Sequence, residues 1–133
     1  MLGTQSEVDG ADASNAVAPL ACSLQGQQRT VTPVAGTRFA NLVGGQPFVG
    51  THYCDYGPTE QTVRALTRNG WVVEATAADA PVEVLSLWNH PFFVLSLFQP
   101  QVGALSGRAP HPLLFAFVDV ARQHAREREW ADA

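Results

Sequence analysis

The spacing of apolar positions divides the chain into short segments punctuated by glycine and proline. Leu20 to Leu24 and Gln28 to Val34 predict two strands, with turn chemistry at Gln25-Gly26-Gln27. Thr37 to Leu42 predicts a short helical turn stopped by Gly44-Gly45. Pro47 to Tyr56 reads as extended. Pro58-Thr59 opens a helix, with Thr59 as N-cap, Val63 and Leu66 on the inner face and Asn69-Gly70 as the stop. Trp71 to Ala75 predicts a strand, Ala77 to Pro81 a turn, and Val82 to Trp88 a further strand that sets Glu83 opposite Val82 and Val84. Asn89-His90-Pro91 makes a tight connection, because a residue before proline avoids the helical region. Phe92 to Phe98 is nearly all apolar, the composition of a strand buried on both faces. The two runs together predict a hairpin in the middle of a sheet. Gln101 to Ala109 reads as a loop. Pro110-His111-Pro112 then starts a final helix with an apolar stripe of Leu113, Leu114, Phe117, Val118 and Ala121. From Gln123 onward that helix turns polar and is expected to fray.

This pattern organises the chain as one unit. Residues 1–18 are expected to form a loop or poorly ordered segment, 19–126 a single α/β domain, and 127–133 a polar tail. A length of 133 residues with 46% hydrophobic content supports one modest core. So polar a beginning suggests that the chain starts partway through a larger fold. No internal repeat is present.

Charge narrows the function classes. The formal net charge is -4 and no basic run occurs, so a nucleic-acid surface is not expected. The basic cluster from Arg122 to Arg128 is interleaved with Glu127 and Glu129, as on a solvated helix face. No apolar run is long enough to span a bilayer, and Met1 to Ala21 lacks the basic start of a signal peptide, so a cytoplasmic setting is expected. Cys22 and Cys54 lack disulfide-framework and metal-ligand spacing and read as free thiols. No cofactor and no metal are expected.

Candidate chemistry is sparse. His90 reads as a turn residue. His52, His111 and His124 have no carboxylate or cysteine at ligand spacing, and no pair of carboxylates occupies a setting that would split their pKa values. Gly44-Gly45 lacks the flanking pattern of a phosphate loop. Cys54 lies two residues from His52, so a strand would set both on one face. A nucleophile would need that imidazole held by a third group, and Asp55 points to the opposite face. A packed thiol is the simpler reading of Cys54.

Four segments resemble a known family: Pro19 to Leu24, Thr51 to Tyr56, Val82 to Pro100, and Pro110 to Leu114. Their order is similar to that in class I glutamine amidotransferases, in particular the C-terminal half of the CTP synthase glutaminase domain and stand-alone relatives of that region. The resemblance runs from about Leu2 to Arg122. It implies a partial, flavodoxin-like α/β fold: a mixed sheet with flanking helices, lacking the first half of the domain. It also implies a catalytic mechanism that this chain does not support. The family uses a cysteine at a strand-to-helix elbow, a histidine that moves protons, and a glutamate that orients the histidine. Neither cysteine here follows a Gly-x-Cys-x-Gly pattern. Gln99 stands at the histidine position and Gln101 at the glutamate position, and an amide cannot serve as a general base. Asp55 falls where the resemblance implies an arginine that holds the substrate carboxylate, just before Tyr56.

The resemblance therefore implies a catalytically inactive domain that binds a ligand or a partner. Gln99, Gln101, Tyr56, Asp55, Cys54 and His52 are the candidate site residues, suited to a small polar metabolite. Removing the first strands of such a sheet would leave an open edge, so a homodimer or a separate protein carrying the N-terminal half is the expected partner. The alternative is an amidotransferase or hydrolase of altered chemistry, completed by another chain or using Cys54.

Overall fold

The computed structural model describes residues 16–20 and 24–131. Strand β1 (Val17–Pro19) comes first, then β2 (Gln27–Pro33). Helix α1 (Arg38–Val43) begins where the Thr37 side chain accepts from Ala40 N at 3.2 Å. It ends at Gly44, whose φ of 82° suits the left-handed cap. Strands β3 (Phe48–His52) and β4 (Tyr56–Pro58) divide the segment expected to be extended. Helix α2 (Glu60–Arg68) is capped as the sequence predicts: the Thr59 hydroxyl accepts from Thr62 N, and Asn69 closes the far end. Strands β5 (Trp71–Ala77) and β6 (Ala80–Leu87) form a hairpin, followed by β7 (Val94–Ser96), the single-turn helix α3 (Val102–Leu105) and α4 (Pro112–Ala131).

The main sheet has the order β3-β2-β5-β6-β7, and β1 pairs with β4 in a separate ribbon. Every pairing among the described strands is antiparallel. The sheet curls until its two edges approach. Beyond β7, Phe98 bridges His52, and Gln99 N donates to Thr51 O at 2.8 Å. Gly50 makes this approach sterically open, since a Cβ there would lie 2.8 Å from the Phe98 Cβ. The core sits inside the curl and under α1 and α4, with Val31, Phe39, Ala75, Val84, Phe98 and Leu113 buried together. Phe48 and Phe98 meet edge to face at 5.3 Å.

Several elements differ from the sequence reading. Val17 and Ala18 lie in β1 rather than in a loop. The strand expected over Leu20 to Leu24 is not seen at its ends, and its residues 21–23, with Cys22, lie outside the described residues, as do residues 1–15 of the loop expected over 1–18. Phe92 to Phe98 is not a central strand buried on both faces. Only Val94–Ser96 forms a strand, at the sheet edge, and Leu95 is half exposed. Its aromatic residues pack sideways instead: Phe92 lies 5.6 Å from Phe117, and Phe93 lies 5.3 Å from Trp71. The stripe on α4 is also rotated. Leu113, Ala116 and Val120 face Phe39, Leu42 and Phe92, whereas Val118 is exposed. The helix does not fray at Gln123 but continues to Ala131, helped by a Gln123 Nε2 to Glu127 Oε1 hydrogen bond of 2.9 Å.

Candidate functional site

The segment leaving β7 delivers Gln99, Pro100 and Gln101 to the rim where the curled edges meet. The backbone bond from Gln99 N to Thr51 O fixes its position against β3. Gln101 stands just before α3 and donates from Nε2 to Gln99 Oε1 at 2.6 Å. The two amides are thus paired with each other. Gln99 lines a cavity of about 350 Å³ together with Thr51, Phe48, Phe98, Arg108 and His111. Gln101 is exposed and does not line it.

His111 shapes the other wall. Its ring stacks on Phe39 at 6.3 Å with an interplanar angle of 14°, and lies 5.1 Å from both Phe48 and Phe98. Its Nδ1 accepts from Leu113 N at 3.2 Å, in the first turn of α4. Burial pushes its pKa below the ordinary 6.5, because the charged imidazolium loses water there. The ring is therefore neutral near pH 7 with its proton on Nε2.

The remaining residues singled out from the sequence sit elsewhere. His52 is completely buried inside the curl. Its Nδ1 lies 3.2 Å from Gly50 O and its Nε2 lies 2.8 Å from Glu83 Oε2, so both ring nitrogens are engaged. Glu83, also fully buried, has its other oxygen 3.7 Å from Arg29 Nη1, and Arg29 in turn pairs with Asp79. The Cys54 thiol donates to Leu97 O at 3.6 Å rather than to the imidazole two residues away. Asp55 accepts from Gln25 Nε2 at 3.2 Å, and Tyr56 lies in the β1–β4 ribbon. Neither lines the cavity beside Gln99. The structure thus brings Gln99 and Gln101 together but does not gather them with Tyr56, Asp55, Cys54 and His52 around that cavity.

Two buried carboxylates escaped the sequence reading. Alternation sets Glu83 on the face opposite Val82 and Val84, yet both faces of β6 are covered. Glu74 occupies a β-bulge between β5 and β6 and reaches α1. Its Oε2 accepts from Phe39 N at 2.7 Å and its Oε1 accepts from the Ser86 hydroxyl, so it caps the positive end of α1. Arg108 and His111 also went unassigned. A proline on each side of His111 is the one signal that placed it at a helix start. A second cavity, of about 460 Å³, lies between α2 and the β6–β7 edge, and its lining is almost wholly apolar, from Leu66, Trp71, Leu85 and Leu95 among others. Among the described residues no cluster of histidine, cysteine and carboxylates could hold a metal ion, and no helix is long and apolar enough to cross a membrane.

No family model matches the chain. Two curated relatives are CTP synthases. One, from Thermomicrobium roseum, is 33% identical over 97 residues, which is 72% of this chain and 17% of that protein. The other, from Cyanothece sp., is 38% identical over 60 residues, or 44% of this chain and 11% of that protein. The chain therefore spans less than a fifth of the length of these relatives. Among solved structures, the glutaminase domain of Trypanosoma brucei CTP synthase with bound acivicin superimposes with a TM-score of 0.70 at 17% identity, covering 84% of this chain and 48% of that one.

Proposed function

We propose that this chain, a glutamine amidotransferase-like polypeptide related to the C-terminal region of CTP synthase, is a binding module that does not hydrolyse glutamine. One observation carries the reading. The residues at the positions of the base and its orienting carboxylate, Gln99 and Gln101, are amides bonded to each other at 2.6 Å. Neither amide ionises near neutral pH, so no acid–base relay runs through them. The arrangement of Cys54 supports the same reading, because its thiol hydrogen is held by a backbone carbonyl and both nitrogens of His52 are committed elsewhere.

The ligand of such a module would be a small polar metabolite, taken in the cavity beside Gln99. The partner would be a second copy or a separate polypeptide carrying the other half of the fold. Exposed Phe115 and Phe117 near the start of α4 favour such an apolar contact. Incubating the full chain with millimolar L-glutamine and measuring ammonia tests the central point. Release indistinguishable from buffer is expected. Steady turnover that disappears in Cys54→Ala would establish the alternative, an amidotransferase or hydrolase of altered chemistry.

A further inference from the structure

We infer that the cavity beside Gln99 is a binding site for a small monocarboxylate with a short apolar body, an inference that rests on the binding-module reading above. Its volume of about 350 Å³ lies at the lower end of small-molecule sites. Arg108 is the one charged side chain among the residues that line it, and no aspartate or glutamate lines it. The Arg108 side chain lies across α3, where a Cβ on Gly103 would come within 3.9 Å of Arg108 Nε. Among the described residues its guanidinium forms no ion pair. His111 accepts at Nδ1, so its one ring donor is Nε2–H. Gln99 has its carbonyl oxygen occupied by Gln101, which leaves its NH2 end to donate. Helix α4 begins at Pro112, which lines the cavity, so the start of a 20-residue helix lies at its rim, with the Leu113 and Leu114 amides already donating to His111.

Donors without a resident acceptor call for an anionic oxygen group. A planar carboxylate matches the guanidinium fork and needs one countercharge, which Arg108 alone supplies. A phosphate would bring a second negative charge for which the cavity has no further cation. Phe48, Phe98 and Pro110 then provide apolar walls for the ligand's body.

Isotope-edited NMR titration of the full chain tests this, with 4-methylpentanoate as probe and 4-methylpentanamide and inorganic phosphate as controls. The carboxylate is expected to shift Thr51, Gln99 and His111 signals and to bind at least tenfold tighter than either control. Arg108→Gln is expected to weaken it at least tenfold without changing the melting temperature, and Arg108→Lys to weaken it less. Equal binding of the amide, tighter binding of phosphate, shifts confined to other residues, or no saturable shift would each overturn the assignment. Ammonia release is read in a separate assay, so failure of this site and failure of the non-hydrolysing reading are distinguishable.

Discussion

At the scale of single residues, the strongest consequences concern groups buried inside the curled sheet. Glu83 and His52 are both fully buried and bonded at 2.8 Å, and a carboxylate facing both an imidazole and Arg29 holds charge away from water. Removing one partner leaves the other unpaired in the interior. Glu83→Ala is therefore expected to destabilise the fold by about 3–5 kcal/mol, measured by urea denaturation. A double-mutant cycle with His52→Ala should show coupling well above zero; strict additivity would mean that the bond contributes nothing. Gly50→Ala acts through sterics alone. Its new Cβ would sit 2.8 Å from the Phe98 Cβ, so a loss of about 1–3 kcal/mol is expected. His111 makes a pH-dependent contribution. Its folded pKa lies below the ordinary 6.5 because burial disfavours the imidazolium. The unfolded chain then binds a proton that the folded chain refuses. Stability is complete above pH 6.5 and falls as pH drops below it, until the folded pKa is reached. His111→Asn should flatten that part of the stability–pH curve while lowering stability at pH 8. A curve of unchanged slope would assign the titration to another group.

At the scale of elements, local chemistry decided what could be read from the sequence. Helices α1 and α2 were legible because their boundaries are local: the Thr37 and Thr59 side chains accept backbone bonds at the starts, and Gly44, with its left-handed backbone, and Asn69, whose side chain donates to Ala65 O, close the ends. Thr59→Ala should cost about 1 kcal/mol, seen as a lower melting temperature, because Thr62 N loses its acceptor. The stretch from Phe92 to Phe98 differs from its sequence pattern for a physical reason. An uninterrupted apolar run records burial without saying which neighbour supplies it, and here α4 and β5 supply it rather than a further strand. The stripe on α4 was misplaced for a related reason. Leu114 and Val118 are as apolar as Leu113 and Val120, and only the position of α1 selects which row turns inward. Glu74 and Glu83 were illegible because a charged residue in a strand reads as solvent-facing. Their partners, Phe39 and His52, are 35 and 31 residues away in sequence. The cavity beside Gln99 is assembled from β3, the segment after β7 and the start of α4. From sequence, Gln99 was visible through its position in a tripeptide, while Arg108 and His111 become its neighbours only through the curl.

At the scale of the whole molecule, the non-hydrolysing reading proposed above predicts what restoring the two triad side chains would do. The chain overlays 48% of the glutaminase-domain structure it matches, and that partial fold holds the amide pair Gln99 and Gln101. A triad is non-additive: a base and its orienting carboxylate accelerate nothing without a nucleophile in reach. Among the described residues the one cysteine is Cys54, and its thiol faces the Leu97 carbonyl. The double variant Gln99→His with Gln101→Glu should therefore restore a titrating imidazole and no ammonia release. The two properties are measured separately, the first by NMR titration of the new histidine and the second by a coupled ammonia assay with millimolar L-glutamine. The engineered glutamate would lie beside that imidazole, as Gln101 lies beside Gln99, and should raise its pKa by favouring the charged form. Ammonia release by the double variant would show that a nucleophile reaches this rim after all, and its loss on Cys54→Ala would identify that nucleophile. An imidazole that titrates with a raised pKa, together with no turnover, would place the block to catalysis in the lack of a nucleophile within reach of this rim rather than in the two amides.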